Sequence, residues 1–254
     1  MAYRYLFEQM VRRELRQKYK GSALGVVWYV VNPLVLMGAY YLMFGIVFKA
    51  ASEPDYPLFL LVGLVVWIFF SQAALGAAPS LIEQGSLVRK ARFPREVIPA
   101  AVVTVQLVTF LVLLGVLTPL MLAIRGSADV ALLVLPLILA CLVAFVLGFA
   151  FAVSVLHAYF RDVSPILAAM LLPWFFLSPI FFDPNGITQQ KTAVFALEWI
   201  NPMAPFIVAV RDVLYAGHVP GLDVLAYVFV AGALMLLGGV ALFRRMQGEL
   251  AVVL

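Results

Sequence analysis

The chain is predicted to be an all-α, polytopic membrane protein: six transmembrane helices, an amphipathic helix ahead of them, and two short external helices between the fifth and sixth spans. Three observations predict this. First, residues 26–48, 58–78, 98–124, 130–156, 164–182 and 224–243 contain no Asp, Glu, Lys or Arg, and a membrane crossing needs roughly 20 apolar residues. Second, the composition is 65% hydrophobic and only 12% charged, where soluble domains carry about 25% charged residues. Third, 13 of the 17 Lys and Arg fall before span one, between spans two and three, after span four or after span six. Only Lys49, Arg125, Lys191 and Arg211 fall on the other side. The positive-inside rule then places both termini in the cytoplasm.

The elements follow in order along residues 1–254, read as one transmembrane domain. In residues 1–20, Tyr3, Phe7, Val11, Leu15 and Tyr19 recur every fourth position, reinforced by Leu6 and Met10. Arg4, Glu8, Arg12, Arg13, Arg16 and Lys20 occupy the other face. A basic amphipathic helix of this pattern lies in the cytoplasmic membrane interface. The first apolar run is too long for a signal-peptide core, so the N-terminus is expected to stay uncleaved. Gly21, Ser22 and Gly25 permit a sharp entry into span one.

The 49–57 loop holds Glu53 and Asp55 and belongs outside. The 79–97 connection is the longest cytoplasmic loop. Within it, residues 80–90 read as a short helix that stops at Phe93-Pro94, because a residue before proline leaves the α region. Residues 125–129 and 157–163 are tight turns on opposite sides. Pro165, Pro173 and Pro179 interrupt span five, and such prolines free carbonyls and kink helices. In the 183–223 segment, residues 193–200 and 203–215 read as two short helices divided by Asn201-Pro202. Val194, Leu197, Phe206, Ile207 and Val210 need burial there, which favours an interfacial or re-entrant hairpin over a plain loop.

Several chemistries are disfavoured. No span holds a carboxylate, histidine, lysine or arginine, the groups that ion-driven transporters place in the membrane. Asn32, Gln72, Thr104 and Gln106 are the most polar residues within the spans. The two histidines, His157 and His218, fall on opposite sides, so no metal site can be assembled from them. The lone Cys141 excludes an internal disulfide and reads as a packing residue. The pI of about 9.3 reflects topology rather than nucleic-acid binding. There is no GxxxxGK[ST] phosphate loop, so the energy for any transport comes from another polypeptide.

Aromatic residues remain. Tyr40, Tyr41 and Phe44 share a face of span one with Phe48, while Trp174, Phe175, Phe176, Phe181 and Phe182 surround the prolines of span five. Sugar rings present apolar C–H faces that stack on such side chains. Tyr40, Tyr41, Phe44, Trp174, Phe175 and Phe181 are therefore candidates to line a glycan channel, although packing and lipid contact account for most intramembrane aromatics.

The ordered blocks KYKGSALGVVWYVVNPL at 18–34, LVRKARFPREVIP at 87–99, YFRDVSPIL at 159–167, WFFLSPIFF at 174–182 and NPMAPFIVAVRDVLYAG at 201–217 resemble the transmembrane subunit of type-2 ABC exporters of the polysaccharide class. The resemblance spans essentially the whole chain. It implies a homodimer working with two separate ATP-binding-cassette subunits, which bind ATP and Mg, in a bacterial inner membrane. It implies that the 79–97 loop docks on the ATPase, with Glu83, Arg89, Lys90, Arg92 and Arg95 as coupling residues. The short helices of 183–223 would form an external gate. The implied substrate is an undecaprenyl-pyrophosphate-linked glycan, whose pyrophosphate would sit near Arg12, Arg16 and Lys20. An exporter of drugs or small lipids would share this architecture; a membrane-bound lipid or sugar transferase would need acid–base pairs that are missing.

Overall fold

The computed structural model describes residues 2–18, 25–48, 55–90, 93–125, 130–184 and 195–250. Among them there are helices and no strands. The helices are α1 (Ala2–Lys18), α2 (Trp28–Tyr40), α3 (Tyr56–Glu83), α4 (Gly85–Lys90), α5 (Val97–Arg125), α6 (Leu135–Tyr159), α7 (Val163–Phe176), α8 (Ala204–Arg211) and α9 (Leu222–Met246). Wide π-helical turns extend α2 over Tyr41–Val47 and α8 over Asp212–Ala216, and another forms Ala196–Ile200. Five stretches are long and apolar enough to cross a membrane, and α7 is a shorter apolar helix. Multi-pass membrane architecture is thus confirmed.

Span five is where the structure differs most from the charge-free run. Its helix stops at Phe176 after 14 residues, about 21 Å at 1.5 Å per residue, short of the roughly 30 Å hydrocarbon core. Pro179 sets the stop by turning Ser178 out of the α region. Ser178 returns its hydroxyl to the Trp174 carbonyl at 2.9 Å. Every residue of α8 is buried, and it packs against α3, α6 and α9. This supplies the burial that Phe206, Ile207 and Val210 require. Its partner helix was expected over 193–200; the described part is Phe195–Ile200, with 193–194 outside the described residues.

The centre of the bundle is α3, with 72% of its spanning window buried against 6% for α2. Pro57 in its first turn costs no hydrogen bond. The helix runs on through Pro79 to Glu83, so the loop predicted to begin at residue 79 starts at Gln84. A helix of 28 residues reaches about 42 Å, which carries its last turn beyond the hydrocarbon.

Much of the described apolar face of α1 is covered by protein. Leu6, Phe7, Met10 and Val11 join Leu81, Val88, Ile98, Phe151, Val155 and Phe243 in an apolar cluster at the basic end of the bundle. Either environment satisfies the same hydrophobic stripe, which is why its period alone could not choose between them. Arg13 on the opposite side donates to Gln84 Oε1 at 3.3 Å.

Candidate functional site

Spans one and five were expected to build the site; the structure adds span two. A groove of about 290 Å³ lies between α2, α3 and α7, lined by Asn32, Leu36, Tyr40, Leu64, Trp67, Ile68, Ser71, Gln72, Leu75, Ala168, Leu171, Leu172 and Phe175. It contains no charged side chain. Aromatic surfaces come from all three helices: Tyr40, Trp67 and Phe175, with the last two at 5.7 Å between ring centroids.

The six aromatic candidates do not share one surface. Tyr40 and Phe175 line the groove, 5.3 Å apart. Phe44 and Phe181 stack at 4.5 Å in an inner cluster beneath them, and Phe181 is also 5.1 Å from Tyr40. Phe181 is buried and serves as packing. Tyr41 points elsewhere, exposed and paired with Tyr56. Trp174 packs on Trp67 and Phe70 and donates its indole N–H to Asn201 Oδ1 at 2.7 Å; it is a strut, not a lining.

That bond exposes a hub that sequence reading treated only as a helix break. Buried Asn201 accepts from Trp174 and from the Met203 amide at 3.0 Å, and donates to the Leu177 carbonyl and to Ser178 Oγ at 2.9 Å. It ties the end of α7 to the start of α8. The Asn-Pro step at 201–202 was the available signal, since Asn side chains bond backbone two residues on. Ser178→Trp would therefore break this hub.

Arg211 was counted merely as an external charge. It is buried at 5% exposure, with Nη2 donating to the Ile180 carbonyl at 3.2 Å and Cζ 3.6 Å from the Phe59 ring centroid. Gly63 makes room: a Cβ there would lie 2.8 Å from Nη2.

Next to it, Gly217 at φ 76 closes the π turn in the left-handed region. This brings the His218 amide to the Asp212 carbonyl at 3.0 Å. His218 Nε2 then lies 3.8 Å from Asp212 Oδ1. Burial pushes the Asp212 carboxyl up to about 6, against the opposing pull of His218 and Arg211, and Asp183 adds to the rise. Glu198 is raised by burial first, then by Asp223 and Asp183.

The sign follows for Asp212. Its folded carboxyl binds a proton more tightly than the unfolded one, so stability falls as pH rises between about 4 and 6 and is flat above. Asp212→Asn should flatten the melting temperature against pH across that window and raise it at neutral pH. An unchanged slope would remove Asp212 as its source.

A family model described as ABC-2 type transporter matches residues 5–215. The chain belongs to the ABC-2 type transporter family. Membership makes it a transport protein rather than an enzyme. Over 249 residues it is 28% identical to the O-antigen export system permease protein RfbA of Myxococcus xanthus, covering 98% of this chain and 95% of the relative. The protein of that name from Klebsiella pneumoniae is 27% identical over 257 residues, 98% and 96% of the two chains. The polysialic acid transport protein KpsM of Escherichia coli is 24% identical over 246 residues, 94% and 93% of the two.

At the basic end of this ABC-2 chain, the coupling candidates divide. Glu83 is exposed on the last turn of α3 and Arg89 is exposed on α4. Arg95 is half-buried, and its guanidinium donates to the Gln247 carbonyl, while Arg244 approaches Glu96 at 3.8 Å. Tyr159 donates to the Met246 carbonyl at 2.6 Å. Arg95 thus fastens the end of α9 to the start of α5, an internal role the sequence did not assign. Of Lys90 only the backbone is described, and Arg92 lies outside the described residues. Arg12 and Arg16 are exposed on α1, one turn apart; Lys20 lies outside the described residues.

Proposed function

We propose that this chain is the membrane-spanning subunit of an ATP-driven exporter that moves a lipid-linked, O-antigen-like polysaccharide from the cytoplasm to the outer face of the bacterial inner membrane. Two copies form the channel, and two ATP-binding-cassette subunits supply ATP and Mg chemistry. Family membership and near-full-length similarity to O-antigen and polysialic acid permeases support this reading. The observation that carries it to the site is the charge-free aromatic groove between α2, α3 and α7. Sugar rings can stack there without an ionic partner to hold them. Arg12, Arg16 and Lys20 would meet the carrier pyrophosphate. No nucleic acid takes part.

Deleting the gene should leave the glycan inside the cell, and restoring this chain with its ATPase should return it to the surface, read by immunoblot of intact cells. Normal surface glycan in the deletion strain would refute the proposal.

Orientation has a separate test. In a Cys141→Ser background, Val219→Cys should react with an impermeant thiol reagent from outside and Ser86→Cys should not. Labelling of position 86 in intact cells would reverse the topology.

Coupling is tested at the exposed Arg89; reversal at Arg95 would also break its bond to Gln247. Arg89→Glu should weaken ATPase association about tenfold, in keeping with the cost of like charges across an interface. Co-purification at wild-type yield would exclude Arg89 from the docking surface.

A further inference from the structure

Polar side chains within the spans differ in how they are satisfied. The hydroxyls of Ser71, Ser80, Thr104, Thr109, Ser154 and Ser178 all return to a carbonyl of their own helix, three or four residues back. This is the usual way to satisfy such groups away from water. The amides of Asn32 and Gln72 behave differently. Both are exposed, and neither side chain makes a hydrogen bond among the described residues. At the basic end Asn32 lies twelve residues from Lys20, and Gln72 lies eleven from Glu83. Chain direction is opposite in α2 and α3, so the two amides share one depth. Both line the same groove.

Leaving an amide unsatisfied in hydrocarbon costs several kcal/mol; two at one level in one groove point to a polar occupant. Farther from that end, Tyr40 lies eight residues beyond Asn32 on α2 and Trp67 five beyond Gln72 on α3. The groove therefore offers amides first and aromatic rings next, with no charge at either level. Amides donate to and accept from hydroxyls, and rings stack on C–H faces. That order fits a chain of uncharged sugar units entering from the basic end. An ionic headgroup would find no counter-charge.

Resting on the export reading above, we propose that Asn32 and Gln72 form an amide entry station that hydrogen-bonds the hydroxyls of successive sugar units before they reach the Tyr40–Trp67–Phe175 surface. The station sets how readily the glycan threads, and it does so on helices α2 and α3 rather than through the α7 aromatics.

Two measurements test it. The first is the export rate of surface glycan for Asn32→Leu, Gln72→Leu and the double variant, with assembly and ATP hydrolysis measured alongside. Each single change should slow export about fivefold, the equivalent of ~1 kcal/mol for one hydrogen bond, and the double change more than tenfold, with assembly intact. Wild-type export in the double variant overturns the proposal. Absence of export by the wild-type chain would instead refute the proposed function.

The second measurement holds even where leucine disturbs folding. In a Cys141→Ser background, Asn32→Cys and Gln72→Cys should react with a small water-soluble methanethiosulfonate added to inside-out membranes. Leu237→Cys, on the exposed face of α9, should not react. Reaction at 32 and 72 should slow when glycan is arrested in the complex by withholding ATP hydrolysis. Labelling of 32 and 72 no faster than 237, or no protection by arrested glycan, contradicts an entry station.

Discussion

Gly148→Leu should prevent α6 and α9 from closing on each other, the largest effect expected of any single substitution here. These two helices share the most extensive contact in the fold. A Cβ built on Gly148 would land on the Met235 carbonyl group, and one on Gly239 would land on the Gly148 backbone. One on Gly232 would come 2.7 Å from the Cys141 carbonyl oxygen. The obstructing atoms are backbone, which cannot rotate aside as a flexible side chain would. Small residues allow membrane helices to approach this closely, and van der Waals packing then holds them.

Overpacking a core costs about 1–3 kcal/mol when side chains can adjust. Here the helices themselves must separate, so the loss should exceed ~3 kcal/mol. Thermal unfolding in detergent should show Gly148→Leu unfolded or strongly destabilised, and Gly239→Leu likewise. Gly238→Ala, which meets nothing within 4 Å, is the control and should melt as wild type. An unchanged melting temperature for Gly148→Leu would mean that α6 and α9 do not pack as described.

The second large effect belongs to Arg211→Leu. The substitution removes the donor to the Ile180 carbonyl and the cation resting on Phe59. It also withdraws one of the charges, after His218, that oppose the upward shift of the Asp212 carboxyl. Removing one member of a buried charge network costs about 3–5 kcal/mol. Arg211 joins α8 to the 177–184 turn and to α3, so its loss should release that end of the bundle as a unit. Export should fall to background and the melting temperature should drop. Arg211→Lys should recover part of both, since it keeps charge but loses the planar fork. Full export by Arg211→Leu would show that α8 is held by apolar burial alone.

The fold was legible wherever one signal had one structural meaning. Charge-free runs delivered α2, α3, α5, α6 and α9 to within a few residues at most ends, because hydrocarbon excludes charge irrespective of tertiary detail. The fifth run failed on that ground. Its 19 charge-free residues measure apolarity, while the length of α7 is set by Pro179 and by the Ser178 bond to Trp174. The apolar stripe of α1 was read correctly as a stripe and assigned to lipid, yet much of it packs on Leu81, Ile98 and Phe243. Periodicity states that a face is buried without stating against what.

The site was less legible. Tyr40 and Phe175 do line the groove, but Trp174 and Phe181 turn inward because each has a better partner, Asn201 for the indole and Phe44 for the ring. Trp67 stands beside Phe69 and Phe70 in span two, but that span holds no proline, the feature that singled out the aromatics of span five. Arg211 looked like an ordinary external cation, and only the fold reveals that Gly63 and Phe59 make a berth for it. Asn32 and Gln72 were recognised as the polar residues of their spans. What the sequence lacked was the pairing of α2 with α3 that sets them at one depth.

The central claim is that this chain provides a path for glycan that another subunit drives. It is tested most directly by reconstituting the chain with its ATP-binding-cassette partner in vesicles that carry lipid-linked glycan on the outer, ATP-accessible leaflet. Glycan should become protected inside the vesicle only when ATP, Mg and both subunits are present, and the Asn32→Leu/Gln72→Leu variant should slow its entry. Equal glycan entry without nucleotide, or none at all while the assembled complex hydrolyses ATP, would contradict the account.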